Sequence, residues 1–114
     1  MVTVEDVRAL ASPLPRSEEH LVRDQVKFRV GRLVYLALSR DETTLGFAYP
    51  KEHRAGLVAA EPRKFQLPRE SDLRFNWVHA SLSELDADEL AELVINAWTM
   101  CVPKKVAAAY LGAG

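Results

Sequence analysis

The spacing of apolar residues changes along this chain, and that change constrains the fold more than any other feature. Between residues 25 and 30, apolar and polar side chains alternate, which is typical of a half-buried strand, and over residues 44–49 large apolar side chains alternate with small ones. Residues 33–38 between them are nearly all apolar, which is typical of a strand covered on both faces. Between residues 86 and 101, apolar side chains recur every three or four positions, which is typical of an amphipathic helix. The two periods, in separate blocks of one chain, predict the α+β class, with helices packed on an antiparallel sheet.

Turn residues divide the strand block twice, so it predicts a three-strand meander. Gly31-Arg32 suits a two-residue type II′ hairpin, and residues 40–43 form the next turn. Two further strands are predicted at 65–67 and 73–82. Alternate positions of the third strand carry small side chains, a face that we expect a helix to approach closely: Thr44, Gly46 and Ala48.

Two capping boxes mark helix starts, because in each a capping side chain and an acidic residue three positions later bond to each other's backbone. Thr3 with Asp6 opens a short helix that should end near Ser12, and Asp86 with Glu89 opens the long helix. The predicted core face of the long helix consists of Leu90, Leu93, Val94, Ala97, Trp98 and Cys101.

The remaining segments fit a single domain over residues 1–114. Residues 51–60 are predicted to be helical, 16–19 to be a polar connection and 106–111 to be a short last turn. With 48% hydrophobic and 27% charged residues, the chain has material for one core. We find no export signal and no run of about 20 apolar residues, and Cys101 has no cysteine to pair with. These features predict a cytoplasmic protein outside the membrane.

Charge is distributed unevenly, although the net charge is only −1. Residues 25–82 carry ten basic and six acidic side chains, whereas residues 1–24 carry three and five, and residues 83–114 carry two and five. The positive middle segment predicts one basic face on a nearly neutral body. The alternative is an ordinary mixed-charge surface in contact with solvent.

The sequence contains no pattern typical of a catalytic or cofactor site. The five glycines are scattered singly, so there is no glycine-rich phosphate loop, and no serine lies in a nucleophile elbow. His20, His53 and His79 are not paired with one another or with the cysteine at metal-ligand spacing. Cys101 is expected to be a buried structural thiol. We therefore expect a protein that is not an enzyme, with no catalytic residues, no cofactor and no metal.

The predicted strand around Trp77 suggests one binding surface. Phe75, Trp77 and His79 share one face of this strand, and Val78 and Ala80 lie on the other. If the face of Trp77 is open, its aromatic and basic side chains suit base stacking or a protein anchor. The alternative is that a helix covers this face and both aromatic residues belong to the core.

Basic residues near the predicted turns suggest a second surface. Lysine and arginine at hairpin tips can contact a phosphate backbone as wings, although strand edges also carry these residues for solubility. The candidate nucleic-acid-binding residues are Lys27, Arg29, Arg32, Arg40, Lys51 and Arg54.

Several segments resemble the MmcQ/YjbR family. Residues 60–65 (AEPRKF), followed by Pro68, are similar to the family's "adPekF..tP" segment. Residues 28–35 are similar to its "fkV.gk.fa" segment, and residues 77–98 to its "WV.v.L…deL.eL…AW" stretch. Residues 103–105 fit the basic tail that follows. The resemblance spans nearly the whole chain.

The resemblance implies a CyaY-like fold and a double-wing DNA-binding protein. Arg69-Glu70 stands where related sequences often place a histidine and a tyrosine, so a ligand role of that histidine does not carry over. We expect weak, non-specific DNA binding, because a net charge of −1 gives little long-range attraction. The alternative is a module that uses the Trp77 face to bind another protein or a small ligand.

Overall fold

The computed structural model describes residues 1–112, which form four helices and one antiparallel sheet. The strands are β1 (Ser17–Val22), β2 (Gln25–Val30), β3 (Leu33–Leu38), β4 (Thr44–Ala48), β5 (Phe65–Gln66) and β6 (Trp77–Ser81). The helices are α1 (Val4–Ala11), α2 (Lys51–Ala60), α3 (Ala87–Thr99) and α4 (Lys104–Leu111), with short 3₁₀ turns at Glu70–Asp72 and Leu82–Glu84. The sheet order is β1-β2-β3-β4-β6-β5, so the predicted α+β class is confirmed.

The prediction of a polar connection at 16–19 is wrong, because β1 begins at Ser17. Among residues 1–112, β1 is an edge strand that pairs only with β2, and its side chains remain largely exposed, including Leu21 at 71%. The buried alternation that identifies a strand is therefore missing from its sequence. Arg23 and Asp24 join β1 to β2 with φ values of 51° and 67°, as a type I′ hairpin requires.

The hairpin between β2 and β3 has the predicted turn at Gly31-Arg32 and adds a bulge. Of these two residues only Gly31 has a positive φ, 59°, which is the pattern of a type II′ turn. The register shift gives β3 one extra residue, so the neighbours Tyr35 and Leu36 are both fully buried. The Tyr35 hydroxyl lies 2.5 Å from the Ser17 Oγ, and this hydrogen bond satisfies a buried polar group.

The core lies between one face of the sheet and the helices α1 and α3. Both predicted capping boxes are present, at Thr3 and at Asp86. Trp98 is fully buried, and its indole Nε1 donates to the Pro15 carbonyl at 2.9 Å. The predicted core face of the long helix is confirmed for five of its six residues: Leu90, Val94, Ala97 and Trp98 are buried, and Leu93 is half-buried against the core.

Three predicted boundaries are corrected by the structure. β6 begins at Trp77, because the carbonyls of residues 73–75 bond to side chains of α2 instead of to a neighbouring strand. The long helix ends at Thr99, which leaves the half-buried Cys101 beyond it. Pro103 then starts α4, a full helix where only a short turn was predicted.

Candidate functional site

A groove of about 990 Å³ lies on the sheet face opposite α1 and α3. Its floor is formed by alternate residues of four strands: Lys27, Ala37, Gly46, Ala48, Trp77 and His79. The loop of residues 69–76 forms one side. The two turns that carry Arg23 and Arg40 close one end, and Leu33, Val34 and Met100 lie at the other. No helix covers the face of Trp77 within residues 1–112, so the first of the two predicted alternatives, an open face, is the one that the structure has.

The indole of Trp77 lies against Gly46 on the neighbouring strand. A Cβ atom at position 46 would lie 2.7 Å from the indole Nε1 and 2.8 Å from Cζ2, closer than real Cβ atoms approach. The close approach expected at this small-residue face is thus made by a side chain of β6, and the prediction of a helix there is wrong. Trp77 is half-buried as a result and forms part of the groove floor.

Phe75 and His79 line the same groove as Trp77, as the sequence pattern predicts. Phe75 precedes β6 and is 50% exposed, with the Arg74 guanidinium 4.7 Å from its ring centre. His79 is half-buried, and burial lowers the pKa of its imidazole, an effect that Asp72 opposes and Arg69 reinforces. The lowered pKa favours the neutral imidazole, which offers both a donor and an acceptor.

The basic residues predicted to bind nucleic acid do not all meet in one place. Lys27 and Arg40 line the groove. Arg29 lies two residues beyond Lys27 on the same face of β2, and its buried Nε has no hydrogen-bond partner within residues 1–112. Arg32 is exposed at the β2–β3 turn, outside the groove lining.

Lys51 and Arg54 at the start of α2 are also outside the groove lining. The Lys51 Nζ donates to the Arg74 carbonyl at 3.2 Å, and Arg54 donates to carbonyls of the same loop. These two side chains therefore bond to backbone carbonyls of the segment 73–77.

Two groove residues, Arg23 and Arg69, are not among those that the sequence predicts. Together with Lys27 and Arg40 they give the lining four basic side chains against one acidic side chain, that of Asp72. The Arg40 Nε also donates to the Arg23 carbonyl at 3.2 Å, which joins the two turns. Recognition of β1 would have placed Arg23 in a hairpin turn. Arg69 is brought in by the long loop that follows β5, and no local pattern marks it.

Cys101 also lines the groove. Burial raises the pKa of the Cys101 thiol, which favours the protonated form at the apolar end of the groove. Among residues 1–112, no three His, Cys, Asp or Glu side chains are grouped to hold a metal ion. The described helices are also too short or too polar to cross a membrane.

Comparison with known proteins identifies the family. The YjbR family model matches residues 12–100. The chain belongs to the YjbR family. This result confirms the resemblance that the segments at 28–35, 60–68 and 77–98 carry. No curated protein matches the sequence.

A solved structure supports the YjbR assignment at the level of the fold. The crystal structure of Deinococcus radiodurans protein DR2400, with a DUF419 domain, is similar with a TM-score of 0.75. The alignment covers 98% of this chain and 82% of that chain, at 23% sequence identity. This identity shows a shared fold alone. The likeness to CyaY and the cytoplasmic location stay predictions.

Proposed function

We propose that this YjbR-family chain is a non-enzymatic nucleic-acid-binding protein that holds a single strand in the groove of its open sheet face. The observation that carries the proposal is the meeting of two kinds of side chain in one groove. Trp77 and Phe75 supply aromatic surfaces, and four basic residues lie around them. Sequence-tolerant single-strand binding uses this combination, because every base has a π-face and every nucleotide has a phosphate.

The shape of the groove favours a single strand over a duplex. Trp77 is half-buried in the groove floor, so a base must leave its stack to contact the ring. Bases of a duplex are stacked on each other and present only their edges in the grooves. The basic residues Arg23, Lys27 and Arg40 are concentrated at one end, where the backbone of the strand would lie.

Binding should be weak and largely independent of sequence. The net charge of −1 gives little long-range attraction, so affinity comes from local phosphate contacts and from stacking. Four phosphate contacts on a single strand correspond to a log–log salt slope of about −3. Arg29 lies beyond Lys27 on the same face and would extend the path of the strand across β2.

The test is a fluorescence-anisotropy titration of single-stranded and duplex oligonucleotides at several salt concentrations. Lys27→Ala should weaken single-strand binding and lower the magnitude of the salt slope by about 0.7. Lys105→Ala is the matched control, because Lys105 is equally charged and exposed on α4. Absence of single-strand binding at low salt, or binding that responds equally to both substitutions, would remove the support for this function.

A second candidate function is favoured by the apolar end of the groove. Leu33, Val34, Phe75 and Met100 are exposed and line it together. A protein or small ligand that contacts mainly these side chains would bind with little dependence on salt. Such binding should be reduced by Met100→Ser and unaffected by Lys27→Ala, the reverse of the pattern expected for nucleic acid.

A further inference from the structure

One arginine of α2 fastens the loop that carries the two aromatic residues. The Arg54 Nη1 donates to the carbonyls of Phe75, at 2.9 Å, and Trp77, at 3.3 Å. Its Nη2 donates to the carbonyl of Leu73. One guanidinium therefore bonds to three alternate carbonyls of the segment 73–77. Within residues 1–112, Arg54 forms no ion pair, so these carbonyls are its partners.

The same segment is joined to the start of α2 at further points. The Asn76 Oδ1 accepts from the Lys51 backbone N–H at 3.0 Å, and the Asn76 carbonyl accepts from the Tyr49 N–H at 3.1 Å. The Lys51 Nζ donates to the Arg74 carbonyl at 3.2 Å. Residues 73–76 lie outside the sheet, so their carbonyls need donors from elsewhere. Tyr49, just before α2, and the first turn of α2 supply those donors.

We propose that Arg54 is a positioning residue for the groove, one that sets the place of Phe75 and Trp77 without contacting the ligand. This inference rests on the proposed function for its meaning, and on the three carbonyl bonds for its geometry. It replaces the sequence-based expectation that Arg54 contacts phosphate. A guanidinium already bonded to three carbonyls, outside the groove lining, is poorly placed to meet a strand in the groove.

The chemistry of the contact requires arginine in particular. The guanidinium presents five N–H donors in a rigid plane, which lets one side chain reach several carbonyls at fixed spacing. A lysine ammonium carries the same charge on a compact point and does not reproduce that fork. The substitution Arg54→Lys therefore separates the role of the fork from the role of the charge.

The structural part of the proposal is tested without any ligand. Protein labelled with 5-fluorotryptophan gives one ¹⁹F resonance for Trp77 and one for Trp98, and Trp77→Phe identifies the first. Arg54→Lys and Arg54→Ala should both shift or broaden the Trp77 resonance and leave the Trp98 resonance in place, which also shows that the core is intact. An unchanged Trp77 resonance in both variants would overturn the proposal.

The binding part is tested with the salt dependence of a single-stranded oligonucleotide. Both variants should bind at least about fivefold more weakly, the lower end of what one stacked base contributes, with the salt slope unchanged. Arg63→Ala, at an exposed arginine outside the groove, is the control for loss of charge. A different result would contradict the proposal: Arg54→Lys binds like the native chain, while Arg54→Ala lowers the magnitude of the salt slope by about 0.7. Arg54 would then be a phosphate contact.

The two parts of the test separate this inference from the proposed function. If the native chain binds no oligonucleotide, the proposed function fails, while the fluorine spectra still decide whether Arg54 holds the loop. If the native chain binds and both variants bind equally well with the same slope, the proposed function stands and the positioning role of Arg54 fails.

Discussion

On β6, Val78 and Ala80 face the helices and are fully buried, whereas Trp77 and His79, their neighbours in sequence, face the groove and are half-buried. The two faces of this sheet thus come from the same strands but are built differently. The covered face is filled with apolar side chains from the sheet, α1 and α3. The open face combines small, aromatic and basic residues that burial alone does not require.

The two faces differ in what their side chains are expected to contribute: those of the covered face contribute to stability, and those of the open face to binding. Side chains on the covered face are fixed by packing against many neighbours, so their loss costs stability. Trp77 on the open face is held by its contact with Gly46, and the loop that carries Phe75 is held by Arg54 from outside the groove. Substitutions there should change binding more than folding.

The largest expected effect contrasts the two tryptophans. Trp98→Ala should lower the free energy of unfolding by about 3–5 kcal/mol, because a fully buried indole and its bond to Pro15 are lost. Trp77→Ala should cost about 1–2 kcal/mol, because the indole is only half-buried. Urea denaturation followed by circular dichroism measures both. Equal losses would mean that the open face belongs to the core as fully as the covered face does.

A smaller effect is expected from the contact between the two open-face residues. Gly46→Ala should destabilise the protein by about 1 kcal/mol, because the new Cβ displaces the Trp77 indole. In a chain that already carries Trp77→Ala, the same change should be nearly neutral. A double-mutant cycle measures the coupling. If Gly46→Ala lowers the free energy of unfolding equally when Trp77 is absent, the loss comes from the backbone and not from the contact between position 46 and the indole.

The smallest effect is a pH dependence specific to the open face. Burial holds the pKa of His79 below its ordinary value of 6.5, so the unfolded chain binds a proton more readily than the folded chain. Stability should therefore fall as the pH drops from about 6.5 through the lowered pKa, and be constant above that window. The difference in unfolding free energy between the native chain and His79→Gln, measured from about pH 8 to about pH 5, isolates this contribution. A difference that stays constant with pH would contradict it.

The covered face was predictable because its signals are local. The capping box at Asp86 and the helical spacing behind it predict α3 and its core face from a few consecutive turns. Gly31 likewise predicts its hairpin from two adjacent residues. β1 was missed because an exposed edge strand shows no buried alternation. The predictable part is thus the part that burial specifies.

The groove was predictable only in part, because it depends on distances along the chain that local patterns do not contain. Phe75, Trp77 and His79 share a face by simple alternation, and this much follows from the sequence. The contact between Trp77 and Gly46 depends on the register between β4 and β6. The two residues lie 31 positions apart in the sequence, so no local pattern predicts the contact. The charge of Arg54 is visible in the sequence and suggests a phosphate contact, whereas its carbonyl partners are visible only in the structure.

Methyl NMR with matched probes on both faces tests whether nucleic acid binds the open face. Ala37 and Ala48 line the groove, whereas Ala80 and Ala97 are buried on the covered face. Titration with a short single-stranded oligonucleotide at low salt should shift the methyl resonances of Ala37 and Ala48 and leave those of Ala80 and Ala97 unchanged. If the Ala37 and Ala48 resonances stay in place at saturating oligonucleotide, or if shifts are confined to α4 or the covered face, nucleic acid does not bind the open face.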